Sequence, residues 1–372
     1  MSRPSKGARL YQRKRKGRSP VWVILDAGGI EIATGARDRG EAEIALARYI
    51  SAGRTRPGGP AAPQDMTVGQ ALSIYGENHA PHVADPARIG YAIDALDVFW
   101  GVLPVAEVKG ATCRRYVASR ERIYRDGRRE PIGLGTVRRE LGTLQAALNY
   151  CVKEGYLTSA PQVTLPEKPA PKERWLTRTE AAWMLRATRH LRIDGRHLSK
   201  FILAGLYTGT RRTATLGLAI DHPALHHGWV DTEQGMLYRA GREARRTKKR
   251  QPTARLPRQF LAHVRRWKAK GCRWVVESYE GNRIGDIKKG WANMIQIAED
   301  LAAKAESPID LSGVTPHSLR HTAITWAMQR GADKWDACGF FGVSMDTLEG
   351  VYAHHHPDHQ KSAVEAMERK TR

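Results

Sequence analysis

Three short segments carry side chains whose types and spacing suit work on a phosphate ester. Arg211 follows the run Leu206-Tyr207-Thr208-Gly209-Thr210. His317 and Arg320 stand three residues apart in Thr315-Pro316-His317-Ser318-Leu319-Arg320-His321, and Tyr352 is followed shortly by His354, His355 and His356. Cleaving a phosphodiester with a side-chain oxygen needs an in-line nucleophile and cations for the nonbridging oxygens. It also needs a proton acceptor for the nucleophile and a donor for the leaving sugar oxygen. A tyrosine hydroxyl, two arginine forks and an imidazole are groups of that kind.

Each segment taken singly also has a structural reading. An arginine after a glycine-ended apolar run is commonly a surface residue. His317 can satisfy a buried carbonyl beside an arginine on a solvated face. Its spacing to His321 would suit a metal, although the carboxylate-centred HExxH pattern is absent. Tyr352 can anchor a helix through its ring. The triple histidine can be a polar helix end or, with Asp358, a metal-binding run.

The elements that must position these groups are legible around them. Thr315 suits an N-cap and Pro316 the first helical position. His317 and Arg320 would then share a face, with His321 one turn beyond His317, at a helix end that favours anions. Glycine ends the apolar run before Arg211, where a fresh helix can begin. Thr177 and Glu180 have capping-box spacing. Short strands are expected at GWV, MLYRA and ARLP within residues 228–257, and helices at about 258–269, 286–304, 316–330 and 344–358.

Upstream, Val137, Leu141, Leu144, Leu148 and Cys151 recur at three- and four-residue spacing, which predicts one buried helical stripe. Arg138 and Arg139 lie beside it, facing either solvent or a polyanion. The first twenty residues hold eight basic side chains and no acid. Arg13, Lys14, Arg15 and Lys16 read as a solvated tail equally able to touch phosphates. The stretch VWVILDAGGIEIATG reads as a small hairpin about Gly28 and Gly29, leading into a helix over roughly 39–51. Composition therefore divides the chain into a basic tail with hairpin and helix (1–51), a linker (52–65) and a helical segment (66–158). A proline-rich linker (159–174) and a C-terminal domain (175–372) follow.

With 372 residues there is room for two or three domains. A formal net charge of +23 attracts polyanions, nucleic acid first among them. The four scattered cysteines suggest neither a paired metal motif nor a disulfide scaffold, which fits a reducing compartment. No apolar stretch reads as a membrane span or secretory signal.

Taken together, TGTRR, then TPHSLRH, then a tyrosine 32 residues beyond Arg320 resemble the C-terminal catalytic domain of the tyrosine recombinases, or phage-type integrases. The resemblance is strong over about 175–365, weaker over the helical segment, and loose at the N-terminus, which is similar to an accessory arm-binding module. It implies a mainly α, multidomain chain with a small β-sheet: a helical core DNA-binding domain and a mixed α/β catalytic domain. It implies that Arg211 is the first catalytic arginine, His317 and Arg320 the histidine–arginine pair, and Tyr352 the nucleophile. A hairpin lysine usually completes the set. In RTKKRQPTARLP, counting back from Leu256-Pro257 favours Lys249, with Lys248 the alternative, and a solvated basic hairpin is the plain reading of that cluster.

The implied activity is site-specific DNA recombination or integration through a 3′-phosphotyrosine, needing no cofactor and no metal. The implied partners are double-stranded DNA, a homotetramer on paired sites, and host or phage bending and directionality factors. The setting would be a prokaryotic cytoplasm. Two positions depart from the family pattern. Ala214 stands where an acid is common three residues after the first arginine. Val343 stands where histidine or tryptophan is common nine residues before the tyrosine, and valine donates no hydrogen bond. One transition-state contact is then either missing or supplied from elsewhere, with His354 a candidate. The alternatives are a catalytically weakened DNA-binding accessory protein, a related dimer resolvase, or a type IB-like topoisomerase.

Overall fold

β-Branched and aromatic residues crowd Val21-Trp22-Val23-Ile24, and there the backbone is extended. The computed structural model describes residues 8–15, 18–26, 31–36, 38–51, 59–169, 174–191, 195–244 and 249–368. It divides between Ala170 and Pro171 into two units.

The first unit opens with an antiparallel sheet, β1 (Arg9–Arg15), β2 (Arg18–Leu25) and β3 (Glu31–Ala33), in that order. Ile24 and Ile32 are paired across it and buried. Arg13, expected in a solvated tail, lies instead in β1 opposite Val21, with its guanidinium 2.9 Å from Glu31. Pairing with β2 satisfies the backbone that the basic composition alone would have left in water. Lys16 and the Gly28–Gly29 pair lie outside the described residues. Helix α1 (Arg39–Ser51) begins where Asp38 accepts from the Glu41 amide, and it packs Tyr49 onto Ile24 and Ile32.

Among the described residues this unit continues with four α-helices: α2 (Val68–Asn78), α3 (Pro86–Trp100), α4 (Gly110–Ser119) and α5 (Leu134–Lys153). Thr67 and Gln70 form a capping box at the start of α2, and Asp85 caps α3 ahead of Pro86. The stripe Val137, Leu141, Leu144, Leu148 and Cys151 is wholly buried, against Leu72, Leu96 and Trp100. One acid on that helix is also buried. Glu140 accepts from Tyr116 at 2.7 Å and from two nitrogens of Arg120 at 2.9 and 2.7 Å, so its charge is compensated. A two-stranded hairpin, β4 (Glu121–Ile123) with β5 (Arg129–Pro131), joins α4 to α5.

The second unit starts at α6 (Arg178–Ala187), where Thr177 and Glu180 form the expected capping box. It continues through α7 (Arg196–Thr208) and the short α8 (Arg212–Leu216) into a four-stranded sheet. The strands, in spatial order, are β6 (Ala219–Ile220), β7 (Trp229–Asp231), β8 (Met236–Tyr238) and β9 (Ala254–Arg255), with β6 parallel to β7 and the rest antiparallel. Then come α9 (Arg258–Ala269), α10 (Lys288–Lys304), α11 (Ser318–Gln329), α12 (Lys334–Phe341), α13 (Met345–Tyr352) and α14 (Lys361–Glu368). A 3-10 turn, Ala353–His355, follows α13.

Two cores support the second unit. Phe201, Phe260, Trp291 and Leu319 belong to the larger. Ile324, Met328, Phe341, Val343, Leu348 and Tyr352 belong to a smaller one, which ties α12 and α13 to α11. Helix α7 approaches α11 closely because position 205 is glycine: a Cβ there would lie 2.8 Å from Leu319 Cδ1. Among the described residues no helix is long and apolar enough to cross a membrane.

Candidate active site

Helix α7 ends in a left-handed residue, Gly209 at φ 60°. The turn it makes puts Arg211 at the N-cap of α8, half-buried. On the facing helix, α11 begins two residues later than Thr315 and Pro316 suggested. Thr315 does not cap it. Its amide donates instead to Ser318 Oγ, and His317 occupies the N-cap position. His317 therefore sits in the entering turn, while Arg320 and His321 sit in the first helical turn.

Arg320 is 5% exposed and held from two sides. Its Nη1 donates to Gly209 O and its Nη2 to Phe341 O, each at 2.7 Å. Arg211 Nη1 donates to Arg250 O at 2.8 Å. A third arginine lies with them: Arg239, just after β8, donates to Thr210 Oγ1 (3.1 Å), Pro252 O (2.7 Å) and Thr208 O (2.9 Å). It thereby ties the turn before Arg211 to the segment after Lys249. The acceptors of all three are carbonyls and a hydroxyl. Burial, with mutual repulsion, brings Arg239 and Arg320 down to about 10, and burial also lowers Arg211. Cations packed together in this way favour a bound anion.

His317 joins this cluster. The residue is exposed, yet the protein around its ring still removes hydration from the charged form. Positive charge from His321, Arg320, Arg211 and Lys249 adds to that, and its pKa falls to about 4. The imidazole is thus neutral near pH 7. Tyr352 is 5% exposed, and burial pushes its phenol up to about 12 against an opposing pull from Arg320. Its hydroxyl lies 2.7 Å from His321 Nδ1.

The structure therefore brings Arg211, Lys249, His317, Arg320 and Tyr352 into one electrostatic neighbourhood. Lys249 is exposed in the connection between β8 and β9, and Lys248 lies outside the described residues. Val343 is buried in the smaller core and offers no donor. His354 is exposed in the 3-10 turn, its ring 3.9 Å from that of His355. Ala214 leaves α8 without a carboxylate there, and the acid that reaches this helix is Asp286, 3.9 Å from Arg212. Among the described residues no three His, Cys, Asp or Glu side chains converge as a metal would require. Arg239 and His321 were not foreseen as part of this cluster. Arg239 has only its place at a strand end to mark it, whereas His321 is in plain view beside Arg320. In the first unit, α3 and α5 border an open concavity of about 940 Å³ whose lining includes Arg88, Arg138 and Arg139.

No family model matches the chain, and no curated protein matches it. Solved structures do. The Tn1549 transposon integrase in complex with transposon right-end DNA superposes with a TM-score of 0.62, at 15% identity, over 82% of this chain and 100% of that one. A lambda integrase tetramer bound to a Holliday junction gives 0.56, at 15% identity, over 90% and 95%. A lambda integrase dimer on a core site gives 0.55, at 14% identity, over 93% and 94%. The fold is that of the multidomain tyrosine recombinases, the family that the sequence resembles.

Proposed function

We propose that the chain is a site-specific DNA recombinase of the integrase kind, with Tyr352 as nucleophile. The observation that carries the proposal is the gathering of Arg211, Arg320 and Lys249 around His317, with Tyr352 within the field of Arg320 and 2.7 Å from His321. The arginines have no carboxylate partner among the described residues, so a phosphate would supply the missing counter-charge. Arg211 and Arg320 clamp the scissile phosphate and stabilise the charge that grows as a fifth oxygen joins phosphorus. Tyr352 attacks, forming a 3′-phosphotyrosine. Lys249 protonates the departing 5′ oxygen. His317, neutral, serves as phosphate ligand or proton acceptor. A 5′ hydroxyl from a partner strand then reverses the step onto new DNA, which conserves the bond and needs no ATP.

The similar structures hold DNA, and one is a tetramer on a Holliday junction. By analogy this chain works as a tetramer on paired duplex sites, with bending or directionality factors as further partners. Residues 66–158 serve as a core-binding domain and 1–51 as an arm-binding module. A net charge of +23 makes the affinity fall steeply with salt. Ala214 and Val343 favour a second reading, an accessory DNA binder with a weakened site.

Covalent trapping on nicked duplexes taken from DNA flanking the gene separates the two. A denaturing gel should show an adduct for wild type and none for Tyr352→Phe, with peptide mapping to Tyr352. Specific binding without any adduct would overturn the recombinase reading in favour of the accessory one.

A further inference from the structure

We propose that His321 is the proton acceptor for Tyr352 in the cleavage step, which leaves His317 to the scissile phosphate. The inference rests on reading Tyr352 as the nucleophile. Tyr352 Oη and His321 Nδ1 are 2.7 Å apart, and the two rings lie 5.8 Å between centroids at 31°. A general base must be within hydrogen-bond reach of the proton it takes, and this pair meets that condition before any DNA arrives. His317 stands edge-on to His321 at 5.0 Å, in the turn before the helix, within the field of Arg320, Arg211 and Lys249.

The need for a base is plain from the environment of the phenol. Burial makes Tyr352 less acidic than a free tyrosine, so at neutral pH its hydroxyl keeps its proton until attack begins. As the bond from Oη to phosphorus forms and the bond to the 5′ oxygen breaks, the phenolic proton passes to His321 Nδ1. The 5′ oxygen takes its proton from Lys249. In the return step the incoming 5′ hydroxyl gives a proton to Lys249, and His321 returns its own to the departing phenolate. Both groups end each cycle as they began.

Among the described residues, the charged and titratable groups around the pair are His317 in the turn entering α11, Arg320 on α11, and His354 and His355 in the 3-10 turn packed against it. Arg211 and Lys249 lie across the site.

The test is single-turnover adduct formation by the full chain on nicked duplexes, measured from acid to neutral pH. Substrates carry either the natural phosphate or a 5′-bridging sulfur, a leaving group that needs no protonation. His321→Asn keeps a polar side chain but cannot take the proton. It should bind the duplex as wild type does, slow adduct formation roughly 10²–10⁴-fold, and lose the acidic limb of the pH profile. The sulfur substrate should rescue Lys249→Ala and leave His321→Asn slow. A second variant, His321→Gly, should regain adduct in proportion to added imidazole base. His321→Asn running near the wild-type rate with its acidic limb intact would overturn the proposal, as would a DNA-binding His321→Gly that imidazole fails to rescue. A wild type that forms no adduct on any of these duplexes counts against the recombinase reading itself.

Discussion

Arg320 Nη1 donates to the carbonyl of Gly209 at 2.7 Å, so a guanidinium on α11 is aimed by the turn that ends α7. The bond to Phe341 O fixes its other arm. A lysine at this position has a single point of charge and cannot span both carbonyls while facing a phosphate. Arg320→Lys should lower adduct formation by about 10²–10³-fold. It should also lower stability by roughly 1–3 kcal/mol through the orphaned carbonyl. Trapping gels and urea unfolding check the two effects. A variant that loses stability but forms adduct at the wild-type rate would remove Arg320 from the phosphate site.

Gly209 has a second reason to lack a side chain. Its φ is 60°, and a Cβ there would fall 2.6 Å from Phe341 Cδ1, a ring of the smaller core. Gly209→Ala should therefore cost about 1–3 kcal/mol, from backbone strain and overpacking together. Because the same turn aims Arg320 and precedes Arg211, adduct formation should fall by more than the loss of folded protein explains. A melting curve paired with the trapping rate, corrected for the folded fraction, measures that excess.

The histidine at the α11 entrance gives a pH prediction. In the free protein His317 is held near 4, against 6.5 when unperturbed. Between those values the unfolded chain binds a proton that the folded chain does not. Stability contributed by neutral His317 is thus present above about 6.5 and lost as pH falls toward about 4. A bound phosphate reverses the bias and raises the pKa, so DNA binding should take up a proton in mildly acidic buffer. Calorimetry in buffers of different ionisation enthalpy reads that proton directly. His317→Asn should abolish the uptake. If the uptake is unchanged in that variant, the phosphate does not lie beside His317.

What was legible in the sequence, and what was not, follows from the range of each signal. The stripe Val137 to Cys151 repeats within one helix, so periodicity alone finds it. Arg211, His317, Arg320 and Tyr352 stand in compact motifs whose order is distinctive. Arg239 could not be found in this way: it acts through acceptors at Thr208, Thr210 and Pro252 that are distant in sequence, and a lone arginine at a strand end resembles any other. The same holds for the pairing of His321 with Tyr352, 31 residues away. Strand β1 was hidden for a different reason. Its composition is that of a solvated tail, and the partner strand decides its conformation.

The hairpin lysine remains to be separated from its neighbour. Lys249 lies near enough to His317 to help hold that imidazole neutral, and Arg239 and Arg211 both donate to carbonyls within three residues of it. The segment carrying Lys249 is therefore anchored beside the arginine cluster. A general acid held there should contribute about 10²–10⁴-fold to cleavage. Lys249→Ala is expected to lose that factor on a natural phosphate and to recover most of it on a 5′-bridging sulfur. Lys248→Ala should lose only the modest affinity of one phosphate contact, restored by lowering the salt. Each variant is assayed for adduct rate on both substrates at two salt concentrations. The reverse pattern, with Lys248→Ala slow and rescued by sulfur, would move the general acid to Lys248.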